Sequence, residues 1–276
     1  TTFVGGAEIA LTENRARYFT GIGQLTLAYN RTGEMLAITQ TGAFNRADQF
    51  HGVAQLGAYN RADERFGGVA QIGAFNHAQD RFTGLAQVGF VNATGPSLFG
   101  EQERRHGFTG LFQIGALNST HGTFGGVAQI GATSWATDFV GLAQVGAMAS
   151  GARRFRGLAQ IGLGAIADRS LGAQIGAGAV AIEEHKGVQL GAVATYAKSI
   201  EGAQVGVANI GGRVRGVQIG VFNHAKSLRG VQIGLVNHAT EGGVLEWSGL
   251  LNIGFDGAKD EVPLEDYEDE DRVARR

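Results

Sequence analysis

Residues 216–223 read Gly-Val-Gln-Ile-Gly-Val-Phe-Asn, and residues 230–237 read Gly-Val-Gln-Ile-Gly-Leu-Val-Asn. The same pattern recurs along most of the chain, and its glutamine marks each copy. A unit this short cannot bury an apolar face by itself, so the units must stack on one another. The chain is therefore a tandem-repeat protein whose fold depends on how the units stack.

Aligned on glutamine, the 276 residues divide into about sixteen units of mostly 14–16 residues. Glu8 and Asn252 take the glutamine position in the first and last units. The spacing is longer between Gln87 and Gln113, where we expect an insertion loop at residues 94–106. The other units carry Gln24, Gln40, Gln55, Gln71, Gln129, Gln144, Gln160, Gln174, Gln189, Gln204, Gln218 and Gln232.

Further positions recur within each unit. A glycine follows the glutamine by two residues, and we expect the aliphatic residue between them, such as Ile219, to face inward. An asparagine often follows the glutamine by five residues, but four units replace it with Ser134, Ala149, Ala165 and Ala194. One apolar residue precedes the next Gly-Val-Gln; it is usually Phe before Gln160, and the later units carry Leu171, Ile200, Val214 and Leu228.

Two β architectures would let such units stack. In a β-solenoid each unit is one coil, and identical residues of neighbouring coils lie about 4.8 Å apart, so Gln and Asn amides hydrogen-bond along the axis. In a sixteen-stranded antiparallel outer-membrane β-barrel each unit is one strand with an apolar face of period two. The last apolar residue lies five positions before the glutamine at Phe82 but four at Leu228. Because corners absorb this change easily, we predict an all-β solenoid with a polar exterior and keep the barrel as the alternative.

Composition narrows the class of protein. With 46 glycines and 2 prolines, the chain is neither collagen-like nor proline-rich and disordered. With no cysteine, it has no disulfide framework and no thiolate metal site. The repeats run without a linker, which predicts a single domain at residues 1–257 with a C-terminal cap at 240–257. Residues 258–276 are predicted to form an acidic, disordered tail.

The unit Gly-Val-Gln-Ile-Gly-x-x-Asn, as at residues 216–223, resembles bacterial surface-repeat proteins over about residues 20–257. The resemblance implies export to the bacterial cell envelope or surface. It supplies no catalytic residues and no defined ligand. The units in which Ser or Ala replaces the asparagine depart from the family pattern, and they put a full-length asparagine ladder in doubt.

The glutamine and asparagine positions predict structural ladders, because an active site needs one asymmetric arrangement of residues. The predicted ladder residues are Gln189, Gln204, Gln218, Gln232, Asn209, Asn223 and Asn237. His77, His224 and His238 each follow an asparagine, but nothing nearby supplies a third metal ligand. No nucleophile motif or phosphate loop is present. We therefore expect no metal, no cofactor and no enzymatic activity.

Basic residues concentrate in the turn before Gly-Val-Gln in the second half of the chain. Stacked coils would gather them into a ridge that could hold an anionic glycan or a lipid head group. The lack of interleaved aromatic residues argues against nucleic acid. The predicted ridge consists of Arg153, Arg154, Arg156, Lys198, Arg213, Arg215, Lys226 and Arg229.

These patterns predict a non-catalytic protein of the bacterial cell envelope or surface, with its secretory signal already removed. It would act as a structural or binding scaffold for an envelope glycan, a lipid head group or a protein. Membrane association is compatible with this role, and the oligomeric state stays open. The alternative function is that of an outer-membrane β-barrel channel or a passive envelope component.

Overall fold

The computed structural model describes residues 1–96 and 107–255, and within them the chain forms strands and turns. No helix in these residues is long and apolar enough to cross a membrane. The strands are β1 (Thr2–Val4), β2 (Ala7–Ala10), β3 (Glu13–Thr26), β4 (Tyr29–Thr41), β5 (Phe44–Leu56), β6 (Tyr59–Gly67), β7 (Ala70–Ile72), β8 (Phe75–Ala78), β9 (Arg81–Thr83), β10 (Ala86–Val88), β11 (Val91–Thr94), β12 (Gly107–Thr109), β13 (Phe112–Ile114), β14 (Leu117–Gly125), β15 (Ala128–Val140), β16 (Ala143–Ile219), β17 (Phe222–Glu241) and β18 (Trp247–Gly254).

Neighbouring coils pair in parallel and in register. Gln40 lies beside Gln24 and Gln55, and Asn30 lies beside Asn14 and Asn45. This pairing confirms the β-solenoid, which has about 14 turns. The antiparallel sixteen-stranded barrel, and the channel it would form, are wrong for this chain because the coils run parallel and their interior is filled with side chains.

The sixteenth repeat unit is not a coil. β18 runs antiparallel to β17, with Asn252 opposite Gln232. Asn252 Nδ2 donates hydrogen bonds to the carbonyl of Leu245 at 2.8 Å and to Gln232 Oε1 at 3.4 Å. Trp247 stacks on His238 with ring centroids 4.0 Å apart. The last unit therefore covers the end of the glutamine ladder with a reversed strand.

The insertion and the tail lie mostly beyond the described residues. Of the predicted loop 94–106, the structure describes residues 94–96, where Thr94 is buried and donates a hydrogen bond to Gln87 Oε1. Strand β10 before the insertion pairs directly with β13 after it, so Gln87 and Gln113 belong to adjacent coils. The predicted tail 258–276 lies outside the described residues.

β16 continues through several coils as one strand of 77 residues because glycine occupies its corners. At four of these corners the glycine has a φ angle between +124° and +142°, a backbone conformation that residues with a Cβ rarely adopt. These glycines are Gly172, Gly187, Gly202 and Gly216. A Cβ at Gly216 would also collide with the carbonyl oxygen of Gly202 one coil below. Glycine thus lets one continuous strand turn repeatedly without losing its pairing.

A ladder of glutamine side chains runs through the interior of the solenoid. In each coil the glutamine Nε2 donates to the Oε1 of the preceding coil, from Gln24 to Gln232, at 2.6–3.0 Å. In many coils the second Nε2 hydrogen reaches a backbone carbonyl, as Gln174 reaches Val180 at 3.2 Å. At the base, Gln24 donates to the carboxylate of Glu8 at 2.8 Å.

The asparagine ladder has the opposite direction. Asn14 Nδ2 donates to Asn30 Oδ1 in the following coil at 2.9 Å, and the pattern continues to Asn118. It resumes from Asn209 to Asn237. The side chains that fill this position between the two segments are Ser134, Ser150, Ala165, Ala179 and Thr195. Ser150 and Thr195 therefore face inward where Ala149 and Ala194 were predicted, because the coil bulges by one residue before each of them.

A column of phenylalanines forms the apolar part of the interior. From Phe50 to Phe155 the rings are stacked in parallel with centroids 4.8–5.1 Å apart. This column does not continue into Leu171, which is 54% exposed. Ser170 and His185 take the next two inward positions, and the apolar column resumes at Ile200. The apolar core is consequently divided into one cluster that ends at Ala167 and another that begins at Ala181.

The prediction that Ile219 faces inward is wrong. Its side chain is 42% exposed, and the corresponding residues Ile72 and Ile233 are exposed to a similar extent. Gln218 points inward, and a strand alternates its side chains between its two faces, so its neighbour must point outward. The amide ladder therefore forces the aliphatic residue next to it onto the surface.

We expect Gln174→Glu to destabilise the protein by about 3–5 kcal/mol, because it buries a carboxylate against the acceptor atoms Gln160 Oε1 and the Val180 carbonyl. The matched substitution Glu8→Gln, at the half-buried base of the same ladder, should cost less than about 1 kcal/mol. Urea unfolding of both variants measures the difference. Equal losses would contradict the ladder as the source of the stability.

Aspartate at two positions nine residues apart, Ile219 and Leu228, distinguishes outward from inward side chains. Leu228 is fully buried, so Leu228→Asp should cost about 4 kcal/mol or more. Ile219→Asp should cost less than about 1 kcal/mol because water still solvates the new carboxylate. Thermal melting followed by circular dichroism tests this ordering, and a reversed ordering would overturn the assignment of the two faces.

Candidate functional site

Each coil presents three outward stretches to its surroundings. We call the residues between the phenylalanine column and the glutamine ladder flank A, such as residues 67–70. Flank B lies between the glutamine and asparagine ladders, such as residues 72–75. Flank C lies between the asparagine ladder and the next residue of the phenylalanine column, such as residues 77–81. Because a coil closes on itself within about fifteen residues, the three flanks face different directions.

Flank C carries most of the charges, and many of them are paired between coils. Arg46 Nε lies 2.7 Å from Asp63 Oδ2, and Arg61 contacts the same carboxylate. Burial alone would raise the pKa of Asp63, but hydrogen bonds from Arg46 and Arg61 outweigh it and lower that pKa. The hydrogen bond to Asp63 is also the main cause that raises the pKa of Arg46.

The predicted basic ridge divides into two parts. In its lower part, Arg153 lies 3.7 Å from Asp168, and Arg154 Nη2 donates to Asp138 at 2.6 Å. Arg169, one coil above Arg154, pairs in turn with Glu183. These cations are largely neutralised by acids on adjacent coils. Arg156 stands apart at the border with flank A, immediately before Gly157.

The upper part is a cationic patch, which we define as Lys198, Arg213, Arg215, Lys226 and Arg229. All five side chains are exposed, and Arg215 and Arg229 are in register on adjacent coils. The residues from Lys198 to Arg229 include one acid, Glu201, which also lies 3.9 Å from Lys186. Among the described residues, Lys198, Arg213, Arg215 and Lys226 have no ion pair. The patch therefore concentrates positive charge within three coils.

Flanks A and B are apolar, which contradicts the expected polar exterior. On flank A, the outward residues include Val69, Leu85, Leu142 and Leu158, of which Leu158 is 69% exposed. On flank B, two columns of aliphatic and aromatic side chains face outward, and Leu235 is 66% exposed. The amides fill the interior, so many of the large aliphatic side chains of the repeat lie outside.

A trough runs along flank B across the last five coils. Its floor is the glycine column Gly176, Gly191, Gly206, Gly220 and Gly234, and its walls are aliphatic side chains such as Ile219 and Val221. A Cβ at Gly220 would collide with the carbonyl of Gly206 and the amide of Asn209, so this column has room only for glycine. The apolar trough is open to solvent along its length and has a volume of about 830 Å³.

Ser170 and His185 form a buried pair that the repeat pattern did not predict. His185 is fully buried, and its Nδ1 lies 2.6 Å from Ser170 Oγ. Its Nε2 has no hydrogen-bond partner among the described residues. Burial lowers the pKa of His185 to about 4, although the backbone of Val188 opposes part of the shift. The available signal was spacing, since His185 lies fifteen residues after Ser170 and before Ile200.

The histidines after the asparagine ladder meet at the C-terminal end. His224 Nδ1 lies 2.8 Å from His238 Nδ1, and Glu246 lies 3.7 Å from His238 Nε2. Burial, followed by the neighbouring His238, lowers the pKa of His224. Within residues 1–96 and 107–255, no three His, Asp or Glu side chains are grouped so that they could hold a metal ion.

Comparisons of the chain with protein-family models, with curated proteins and with solved structures gave no match.

We expect the stability of the protein to fall as the pH drops from about 6.5 to about 4. Because the pKa of His185 is lowered in the folded state, the unfolded chain binds more protons in this range. The loss attributable to His185 should approach about 3 kcal/mol at pH 4. It is measured as the free energy of unfolding in urea across this pH range.

The double variant Ser170→Val and His185→Ile is the control, because it extends the apolar column of Ile200 and Val214 through both coils. It keeps the other histidines and the surface ion pairs, so the difference between the two pH profiles isolates His185. Parallel profiles for the variant and the natural sequence would contradict a neutral, buried His185.

Proposed function

We propose that this chain is a non-catalytic scaffold of the bacterial cell envelope or surface that binds an anionic ligand through its cationic patch. The observation that carries the proposal is the distribution of charges and ion pairs along the basic ridge. Salt bridges between coils neutralise the lower part of the ridge, whereas Lys198, Arg213, Arg215 and Lys226 of the patch are exposed and have no ion pair within the described part of the chain.

The rigidity of the solenoid supports this role. Both amide ladders hold the coils of the patch in fixed register, so the cationic groups are positioned before a ligand arrives. Gly212 lies between Lys198 and Lys226 along the solenoid axis, so the two lysines are two coils apart. Such a repeating array suits a ligand with repeated negative charges, because each charge can meet a cation without reorganising the backbone.

The chemistry of the ligand follows from the exposure of the patch. Exposed cations attract anions through solvent, and this attraction weakens as salt shortens the Debye length. Anionic envelope glycans and lipid head groups share the required charge. Resemblance to bacterial surface-repeat proteins, carried by units such as residues 216–223, supports the envelope location.

Neutralising Lys198, Arg213 and Lys226 with glutamine should weaken binding of dextran sulfate about tenfold or more at low salt. The measurement is a titration of the full chain with labelled dextran sulfate at low and high salt concentrations. The natural sequence should lose most of its affinity at about 1 M salt, where the Debye length is about 3 Å.

The matched control replaces Arg153, Arg154 and Arg169 with glutamine, which removes the same number of positive charges from the ion-paired part of flank C. It should retain affinity to within about threefold, because acids on adjacent coils already neutralise these arginines. If both triple variants lose affinity equally, or if the natural chain does not bind the polyanion, the patch is not the binding site.

A further inference from the structure

We propose that flanks A and B dock onto the surface of a lipid bilayer that contains anionic lipids, with the axis of the solenoid lying along the membrane. The inference rests on the proposed envelope location, and it assigns a role to the apolar flanks, which adjoin the cationic patch at Arg215 and Arg229. Three properties of the apolar surface favour a bilayer as its partner: its extent, its shape and the charge along its border.

The apolar surface is too long to be an ordinary feature of a soluble monomer. Outward aliphatic and aromatic residues occur in nearly every coil, from Ile22 and Leu36 near one end to Leu235 near the other. About 14 turns at about 4.8 Å each give a length of about 65 Å. Monomeric soluble proteins rarely expose contiguous apolar patches larger than a few hundred Å².

The shape of this surface favours a fluid partner. Flanks A and B meet along the glutamine ladder and face different directions, so together they form an apolar wedge. A rigid, flat protein surface would cover one flank and leave the other in water. Lipid acyl chains rearrange around a wedge and cover both flanks, and the trough on flank B adds apolar surface that they can fill.

The border of the wedge has the charge that an anionic membrane requires. Arg215 and Arg229 are the first residues of flank A in their coils, directly after the buried core column, and Arg156 has the same position in a lower coil. In the coils between, the charged residues at this position are Lys186 and Glu201, so four of these five charged border residues are basic. Flank C, with its salt bridges, remains in water when the wedge is immersed. Basic residues beside an apolar face are the pattern of interfacial membrane-binding elements, in which head groups meet the cations.

The absence of cysteine allows each flank to be probed separately. Leu158→Cys reports on flank A, Leu235→Cys on flank B and Thr123→Cys on the exposed polar flank C. Each variant of the full chain carries an environment-sensitive dye and is mixed with phosphatidylcholine vesicles containing about 30% phosphatidylglycerol. Quenching by brominated acyl chains then measures contact with the hydrocarbon region.

We expect quenching at positions 158 and 235 and none at position 123. The double variant Leu158→Gln and Leu235→Gln leaves the charge unchanged and should lower vesicle partitioning about tenfold or more. Since both side chains point outward, its unfolding free energy should match that of the natural sequence, which shows that the loss is not a folding defect.

Three outcomes would overturn the docking. Vesicle binding without quenching at 158 and 235 would mean that the cationic patch alone binds head groups, which leaves the proposed function intact. Discrete dimers that protect both positions, without vesicle binding, would mean that a second copy covers the flanks. A third such outcome is equal quenching on all three flanks. If the dyes at positions 158 and 235 are quenched but the chain does not bind dextran sulfate, the result would support docking and refute the cationic patch as a binding site.

Discussion

The hydrogen bond between glutamine amides on successive coils is the interaction on which the rest of this structure depends. A buried amide is costly unless its donors and acceptor are satisfied, and here the coil below supplies the acceptor while the coil above supplies the donor. This requirement fixes the register of every coil against its neighbours. It thereby brings the asparagines, the alanines and the phenylalanine rings of adjacent coils into contact as separate columns.

The ladder also determines what lies outside. Because Gln218 points inward, Val217 and Ile219 must point outward, and the repeat places aliphatic residues at both positions in most coils. The interior is consequently richer in amides than the surface beside it. An ordinary soluble β-protein has the reverse arrangement, so the apolar flanks follow directly from the choice of amides as the stacking element. This reversal links the stability of the scaffold to the surfaces that we propose it uses.

The coils between Ser150 and Thr195 are held differently from the rest. There the asparagine ladder is replaced by small side chains, and the phenylalanine column gives way to Ser170 and His185. The glutamine ladder continues through these coils from Gln144 to Gln204 without interruption. This segment therefore depends more heavily on one ladder than the coils on either side, and it contains the buried histidine whose neutral form the fold requires.

The periodic part of this protein is predictable from its amino-acid sequence. A repeated Gln at near-constant spacing predicts parallel stacking, since only parallel coils place identical side chains together, and the same spacing identifies the coils that carry the basic residues.

Local sequence did not reveal which side of the strand Ile219 occupies, because an aliphatic residue beside a glutamine fits either face until the amide is known to be buried. Nor did it reveal that Ser170 and His185, rather than Leu171, continue the core, because the apolar Leu171 lies beside Ser170 and the stretch before the glutamine is one residue shorter in this coil: Ser170 lies four residues before Gln174, whereas Phe155 lies five before Gln160. The tertiary structure decided these points, since only the closed coil shows which side chains can reach partners above and below. It likewise decided which arginines of the ridge are neutralised, because ion pairs such as Arg154 with Asp138 form between coils rather than along the chain.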